Sequence, residues 1–376
     1  MELRRKLPVR MDASSDRWIS DARAALQRSP SDYFQVKPWR YWLDFLLSMT
    51  IAYTAASLYL TQPLGSWPQL IAFPFAVFWL YRTGSLIHEV CHLGQREMRT
   101  FKVAWNLAVG VMTLSPSPFF TRHHRDHHSQ KMYGTPQDPE YVVNIWRRGN
   151  WTEMVQYLGM MLLLPLLVFL RFFLVPLTYL HPRLRQWTLT HASAIMLNRN
   201  YVRKLNDYDV WAITAVEWLC WIRATMMLVV VAMGWADWTR LPLLYSLGLA
   251  VLVLNQARQL ADHHFEGEGE HFSLADHVRD SCNYTKFDML TSLFFPFSIR
   301  YHALHHLFPS MPYHNLAAAH AYLVRELPAD SPYRELDEPG WWSTASQMFH
   351  SPVRPRPEAA KGAAEIARDT TSQAAF

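Results

Sequence analysis

Trp79-Leu80-Tyr81-Arg82-Thr83-Gly84-Ser85-Leu86-Ile87-His88-Glu89-Val90-Cys91-His92 closes an apolar run that begins near residue 68. The run is close to the roughly 20 residues a helix needs to cross the hydrocarbon core of a bilayer. It ends in two histidines at i and i+4, a spacing that puts both rings on one helix face. The pattern returns in His124-Arg125-Asp126-His127-His128 and in His302-Ala303-Leu304-His305-His306. A fourth stretch, Asp262-His263-His264, adds two more rings. Eighteen histidines is a high count for 376 residues, and ten of them sit in these patterns. Imidazole is the commonest metal ligand among side chains. One pair suffices for one metal, and nine rings suffice for two. By spacing alone His123 pairs with His127 as well, and His264 adjoins His263, so both are weaker candidates. Cys91 sits about 60° back from the His88–His92 face and is left out of the ligand set.

Outward from this stretch, the chain is organised as a membrane protein. It is 50% hydrophobic and 14% aromatic, with only 18% charge, below the roughly 25% of soluble domains. Apolar runs are expected at about 41–60, 68–87, 210–234 and 241–259, in two hairpins with short connectors. The first connector, Thr61 to Trp67, carries no charge, and residues 1–40 carry nine Lys and Arg. Positive residues favour the cytoplasmic side, so residues 1–40 read as a cytoplasmic arm with one short helix near 14–28. His88 then emerges on the same side. The segment 103–119, ending in Ser115-Pro116-Ser117-Pro118, lies between two clusters and must dip and return or lie on the interface. The run 157–180 holds Pro165, Arg171 and Pro176, and basic residues flank it on both sides. It reads as a re-entrant or bent helix pair, because a full crossing would put His263 opposite His88. The expected fold is all-α: two transmembrane helical hairpins with interfacial or re-entrant helices, under a cytoplasmic histidine-rich cap. A membrane domain is expected over 41–325. Residues 326–376 form a C-terminal extension, disordered from about 351, where the sequence is rich in Pro, Arg and Ala.

Several classes are disfavoured. Cys91, Cys220 and Cys282 are too scattered for a disulfide framework or a CxxC site. The N-terminus lacks the apolar core of a signal peptide. The net charge of +5 follows topology, with no basic stripe interleaved with aromatics, so nucleic acid is not expected as a partner. Gly267-Glu268-Gly269 follows no strand and is no dinucleotide loop. His181, His191, His271, His277, His314 and His320 have no informative spacing and read as interfacial anchors or solvated residues.

Imidazole suits iron, zinc and copper alike, so ligand type leaves the metal open. Nine rings at a membrane surface above apolar helices suggest chemistry on lipid C–H bonds. Two irons activating O2 would supply the oxidant. The clusters also resemble the HxxxH, HxxHH and HxxHH boxes of the membrane fatty acid desaturase superfamily. His305-His306-Leu307-Phe308-Pro309-Ser310-Met311-Pro312-Tyr313-His314-Asn315-Leu316 is the most specific stretch. Gly134-Thr135-Pro136-Gln137-Asp138-Pro139-Glu140 resembles the segment after the second box, and Arg258-Gln259-Leu260-Ala261-Asp262-His263 the segment before the third. The resemblance covers about 35–325, and the three residues inside the first box are closer to the bacterial and acyl-lipid branches.

It implies nine imidazole ligands of a di-iron centre with O2 as co-substrate: His88, His92, His124, His127, His128, His263, His302, His305 and His306. Gln259 stands where acyl-CoA-type relatives hold a metal-bound water with Asn, which makes it a candidate for a water-mediated contact.

A ligating histidine usually gives its other N–H to a carboxylate or carbonyl, and Glu89, Asp126, Asp138, Glu140 and Asp262 are placed to accept it. Glu217 and Arg223 lie inside an apolar run and read as partners of other helices or as functional groups. No electron-transfer module is evident, so a separate ferredoxin-, rubredoxin- or cytochrome b5-like donor with its reductase is expected. The leading expectation is a fatty acyl desaturase acting on a membrane lipid. Hydroxylation, or decarboxylation of a free fatty acid to a terminal alkene, uses the same scaffold. A non-catalytic metal-binding or transport protein is the distant alternative.

Overall fold

In the computed structural model each apolar run becomes a long helix. The described residues are 17–141, 145, 149–194, 198, 200–266, 272–286 and 289–351. The expectations for the tail beyond 351, for His271 and for Gly267-Glu268-Gly269 lie outside them. Short helix α1 (Arg17–Gln27) precedes the hairpin of α2 (Pro38–Thr61) and α3 (Trp67–His92). Next come α4 (Arg99–Trp105), a π-helical turn (Asn106–Val111) and α5 (Pro118–His127). The middle of the chain forms α6 (Trp151–Phe173), α7 (Val175–Thr178) and α8 (Pro182–His191). The second hairpin is α9 (Asp207–Ala232) with α10 (Arg240–Gln259). The cap contains α11 (Leu274–Asp280), α12 (Met289–Phe294), α13 (His302–Leu307), α14 (Tyr313–Glu326) and α15 (Trp341–His350). No strand occurs among the described residues, only isolated bridges such as His263 with Ser281 and Asn283 with Tyr301.

Helices α2, α3, α6, α9 and α10 are 24, 26, 23, 26 and 20 residues long and apolar enough to span a bilayer. Their outward faces show Leu43, Leu47, Ile71, Phe75, Leu162 and Val253, all exposed. Lipid tails, not water, suit that surface. Between α2 and α3 several buried positions are small: Ala52, Ala55 and Ala56 with Ala72 and Ala76. Small residues let membrane helices approach closely where no hydrophobic drive holds them together.

The segment read as a bent pair over 157–180 differs from expectation. α6 begins at Trp151 and runs unbroken through Pro165 to Phe173, with the break at Leu174. Near its start, the Tyr157 hydroxyl donates to Gln256, one turn from the histidine end of α10. At its end, Arg171 donates to Ala192 O at 2.6 Å and to Ser193 Oγ at 3.0 Å. Arg203 ties Ser193 O to Pro118 O, at the start of α5. The segment thus meets the histidine end of α10 at its start and, through residues 192–203, the start of α5 at its end. Glu217 and Arg223 are not paired with each other. Glu217 is held by Arg171 and Arg185 from α6 and α8.

The cap buries α1 against α14 and α13, through Trp18, Ile19, Leu304, Leu316 and Leu323. Residues 333–348 pack into the same body: Tyr333 is fully buried, and Trp341 Nε1 donates to Ala257 O at 2.8 Å.

Candidate metal centre

Four pieces of backbone bring the rings together. The C-terminal end of α3 presents His88 and His92, and α5 with its C-cap presents His124, His127 and His128. The turn after α10 presents His263, and α13 presents His302, His305 and His306. They sort into two groups, His88, His92, His124, His128 and His305 in one and His127, His263, His302 and His306 in the other. Within each group the ligand atoms lie within 4.8 Å of one another. The stacked rings of His128 and His306, 4.2 Å apart, join the groups.

The donor set fits a pair of cations. His124 Nδ1 lies 2.7 Å from Glu140 Oε1, and His127 Nδ1 lies 2.9 Å from Asp138 Oδ1. A carboxylate only accepts, so each Nδ1 carries a proton and Nε2 is the atom left to bind a metal. Yet His124 Nε2 lies 3.1 Å from both His92 Nε2 and His128 Nε2. His305 Nε2 is 3.1 Å from His92 Nε2, and His302 Nε2 is 3.1 Å from His263 Nε2 and 3.0 Å from His306 Nε2. Facing lone pairs repel unless a cation lies between them. Two nitrogens each about 2.0–2.1 Å from one metal, at angles between square and tetrahedral, stand about 2.8–3.4 Å apart, which matches. Burial also pushes His124, His128, His263, His302, His305 and His306 well below the usual imidazole range. That favours the neutral ring, the form that binds metal. His127 goes the other way: burial lowers it, but Asp138, with Glu140 and Asp262, outweighs burial and raises it to about 9.

The outer partners divide into found and displaced. Glu89 Oε1 stands 3.5 Å from His88 Nδ1, while Oε2 accepts from the Tyr41 hydroxyl and the Tyr313 N–H. Asp138 also accepts from Gly134 N–H at 3.0 Å, and burial raises Glu140 to about 7. Asp126 orients no ring; it pairs with Arg122 and accepts from the Tyr201 hydroxyl at 2.8 Å. Asp262 pairs with Arg258 rather than with a ligand ring. Gln259 is half-buried and accepts from Asn255 at 3.4 Å, with no contact to the rings. His123 joins neither group, with Nδ1 on Phe119 O at 3.1 Å. His264 also stands outside, with Nε2 3.2 Å from Glu338. Cys91 is buried, with its thiol on His88 O.

Three supports lay beyond sequence reasoning. His277, read as an interfacial anchor, is buried with Nε2 2.6 Å from His306 Nδ1. Tyr133 OH lies 2.9 Å from His263 Nδ1 and donates to Asp280 at 2.8 Å, and its ring stacks on His277 at 3.5 Å. Asp280 accepts from Tyr141 as well. Residues 130 and 147 positions apart leave no local signal. His181 and His191 are exposed, as expected.

Two substitutions test this shell. Asp138→Asn should weaken metal binding about 10–100-fold, read by titration against a competing chelator; unchanged affinity would remove Asp138 from the site. Gly134 has φ +71, and a Cβ there would lie 2.5 Å from the Phe272 ring. Gly134→Ala should therefore cost about 1–3 kcal/mol, seen as a lower Tm.

Fold and site together define a helical membrane protein that carries a double polyhistidine centre at its helix ends. The sequence profile of the fatty acid desaturase family matches residues 64–337, and the chain belongs to that family. It is 35% identical over 319 residues to a ceramide hydroxylase of Caulobacter vibrioides (strain NA1000 / CB15N), covering 82% of this chain and 88% of the relative. No solved structure matches. The chain is thus a membrane oxidoreductase of a lipid-acting family.

Proposed function

We propose that this chain is an O2-dependent di-iron hydroxylase of a ceramide-like membrane lipid. The observation that carries oxidation is the division of nine imidazoles into two facing groups. The likeness to a ceramide hydroxylase over 88% of that protein favours hydroxylation over the desaturation first expected. The chemistry two bound irons would supply there is O2 activation and hydrogen abstraction from an unactivated C–H bond. The net change is one C–H to C–OH, with the second oxygen leaving as water after two electrons and two protons arrive.

The chain's own residues set the conditions. Glu140 and Asp138 fix ring tautomer and direction, and Tyr133 and His277 do the same for His263 and His306. Burial of seven of the nine rings limits water at the centre. The nine Lys and Arg of residues 1–40, ahead of the hairpin that ends in His88 and His92, support a site on the cytoplasmic face. There exposed Arg96, Arg99 and Arg125, the last bonded to Cys91 O beside His92, suit an acidic ferredoxin-, rubredoxin- or cytochrome b5-like donor served by its reductase.

The test is mass spectrometry of lipids from cells expressing the chain under isotopically heavy O2. Ceramide carrying one heavy oxygen atom is expected. Loss of two hydrogens would instead make the chain a desaturase. One zinc and no iron in purified protein would overturn both.

A further inference from the structure

The membrane side of the metal centre is polar where an acyl tunnel would be apolar. Tyr81 is seven residues before His88 on α3, so it lies on nearly the same face, about 10 Å deeper. Arg258 sits five residues before His263 and is buried. Its Nη1 donates to Asp262 Oδ2, its charge acts on the Tyr81 oxygen, and the Tyr81 hydroxyl donates to Phe294 O. Asp262 directly precedes His263 and Tyr81 shares a helix face with His88, so the trio lies beside both ring groups. Among these three side chains one buried polar atom has no partner. Asp262 is 3% exposed, yet its Oδ1 is buried with no partner. A buried acceptor without a donor is rare and costly. A carboxylate oxygen takes a donor: a hydroxyl or an amide N–H.

A second observation points to the same place. An apolar groove of about 620 Å³ runs between α3 and α10, lined by Phe73, Val77, Leu249, Val253, Ala257 and Phe294. Its upper end reaches Ala257, the neighbour of Arg258, and Phe294, the partner of Tyr81. A hydrocarbon chain lying in it would point its polar end toward Asp262, five residues past Ala257.

We propose that Asp262, held by Arg258, accepts a hydrogen bond from the hydroxyl or amide N–H of the substrate's polar head, beside the groove that takes its chain. The site of oxidation is therefore counted from the head, within a few bonds of it, and not from the methyl end. This rests on the lipid-oxidation reading for the second measurement below, but not for the first.

The first measurement is binding to the full chain in nanodiscs. The probes are a ceramide with a fluorescent acyl chain and its analogue methylated at the head hydroxyls and amide nitrogen. The native protein should prefer the unmethylated ceramide about tenfold or more, as expected of a bond to a charged acceptor. Arg258→Met with Asp262→Leu removes the pair together, so no lone charge is left buried. It should abolish the preference while the methylated probe binds as before. Equal binding of both probes by the native protein, or a preference kept by the double variant, overturns the proposal. The second measurement is the position of the new oxygen in ceramides of several chain lengths. A constant count from the head supports the proposal, and a constant count from the methyl end overturns it. Oxidation without head preference sinks this inference alone; head preference without oxidation sinks the hydroxylase reading alone.

Discussion

His305→Ala should abolish lipid oxidation and reduce bound metal, with the protein still inserted in the membrane. His305 Nε2 faces His92 Nε2 at 3.1 Å and His128 Nε2 at 3.3 Å, so it closes the five-ring group from the far side. Alanine removes a nitrogen and leaves a gap among buried rings. Altering a residue that only supports a ligand costs about 10–100-fold in metal affinity or activity, and losing a ligand should exceed that. Metal analysis and product formation report it together. Retained activity would take His305 out of the centre. Near-native metal content with no activity would make its role chemical rather than structural.

Glu217→Ala should lower stability by about 3–5 kcal/mol. The Glu217 side chain is fully buried and receives Arg171 at 3.0 Å, Arg185 at 2.5 Å and the Tyr179 hydroxyl at 2.8 Å. Alanine strands two guanidinium groups whose side chains are only 13% and 14% exposed. The loss would appear as a lower Tm of the purified chain and as loosening of α6–α8 from α9. Glu217→Gln keeps part of the hydrogen bonding and should lose less. An unchanged Tm for the alanine variant would mean that water already reaches both arginines.

These residues show what sequence conveys about such a chain. Long apolar helices announce themselves because lipid demands unbroken hydrophobic length: the expected crossings match α2, α9 and α10 within three residues at each end, and α3 runs five residues past its expected end to carry His88 and His92. The nine rings were legible because metal binding needs several identical donors at helical spacing. Their division into five and four was not, since it depends on how α3, α5, α10 and α13 meet. Nearness in sequence misled for Asp126, two residues from His124: successive side chains fan out by about 100°, and its carboxylate turns to Arg122 and Tyr201. His277 looked bland because its meaning depends on His306, 29 residues away.

The C-terminal residues 336–348 have a temporal consequence. Asn283 N–H donates to Leu336 O, Glu338 N–H returns to Asn283 O, and Asn283 Oδ1 takes the Leu304 N–H at the start of α13. Glu338 also holds His264, beside ligand His263. The helix that brings three of the nine rings is thus pinned by nearly the last described part of the chain to be synthesised. His88 and His92 enter the membrane early and wait through more than two hundred residues for their partners. A chain halted before residue 336 would lack these contacts, and the turn at Asn283 that caps the start of α13 would lose its brace.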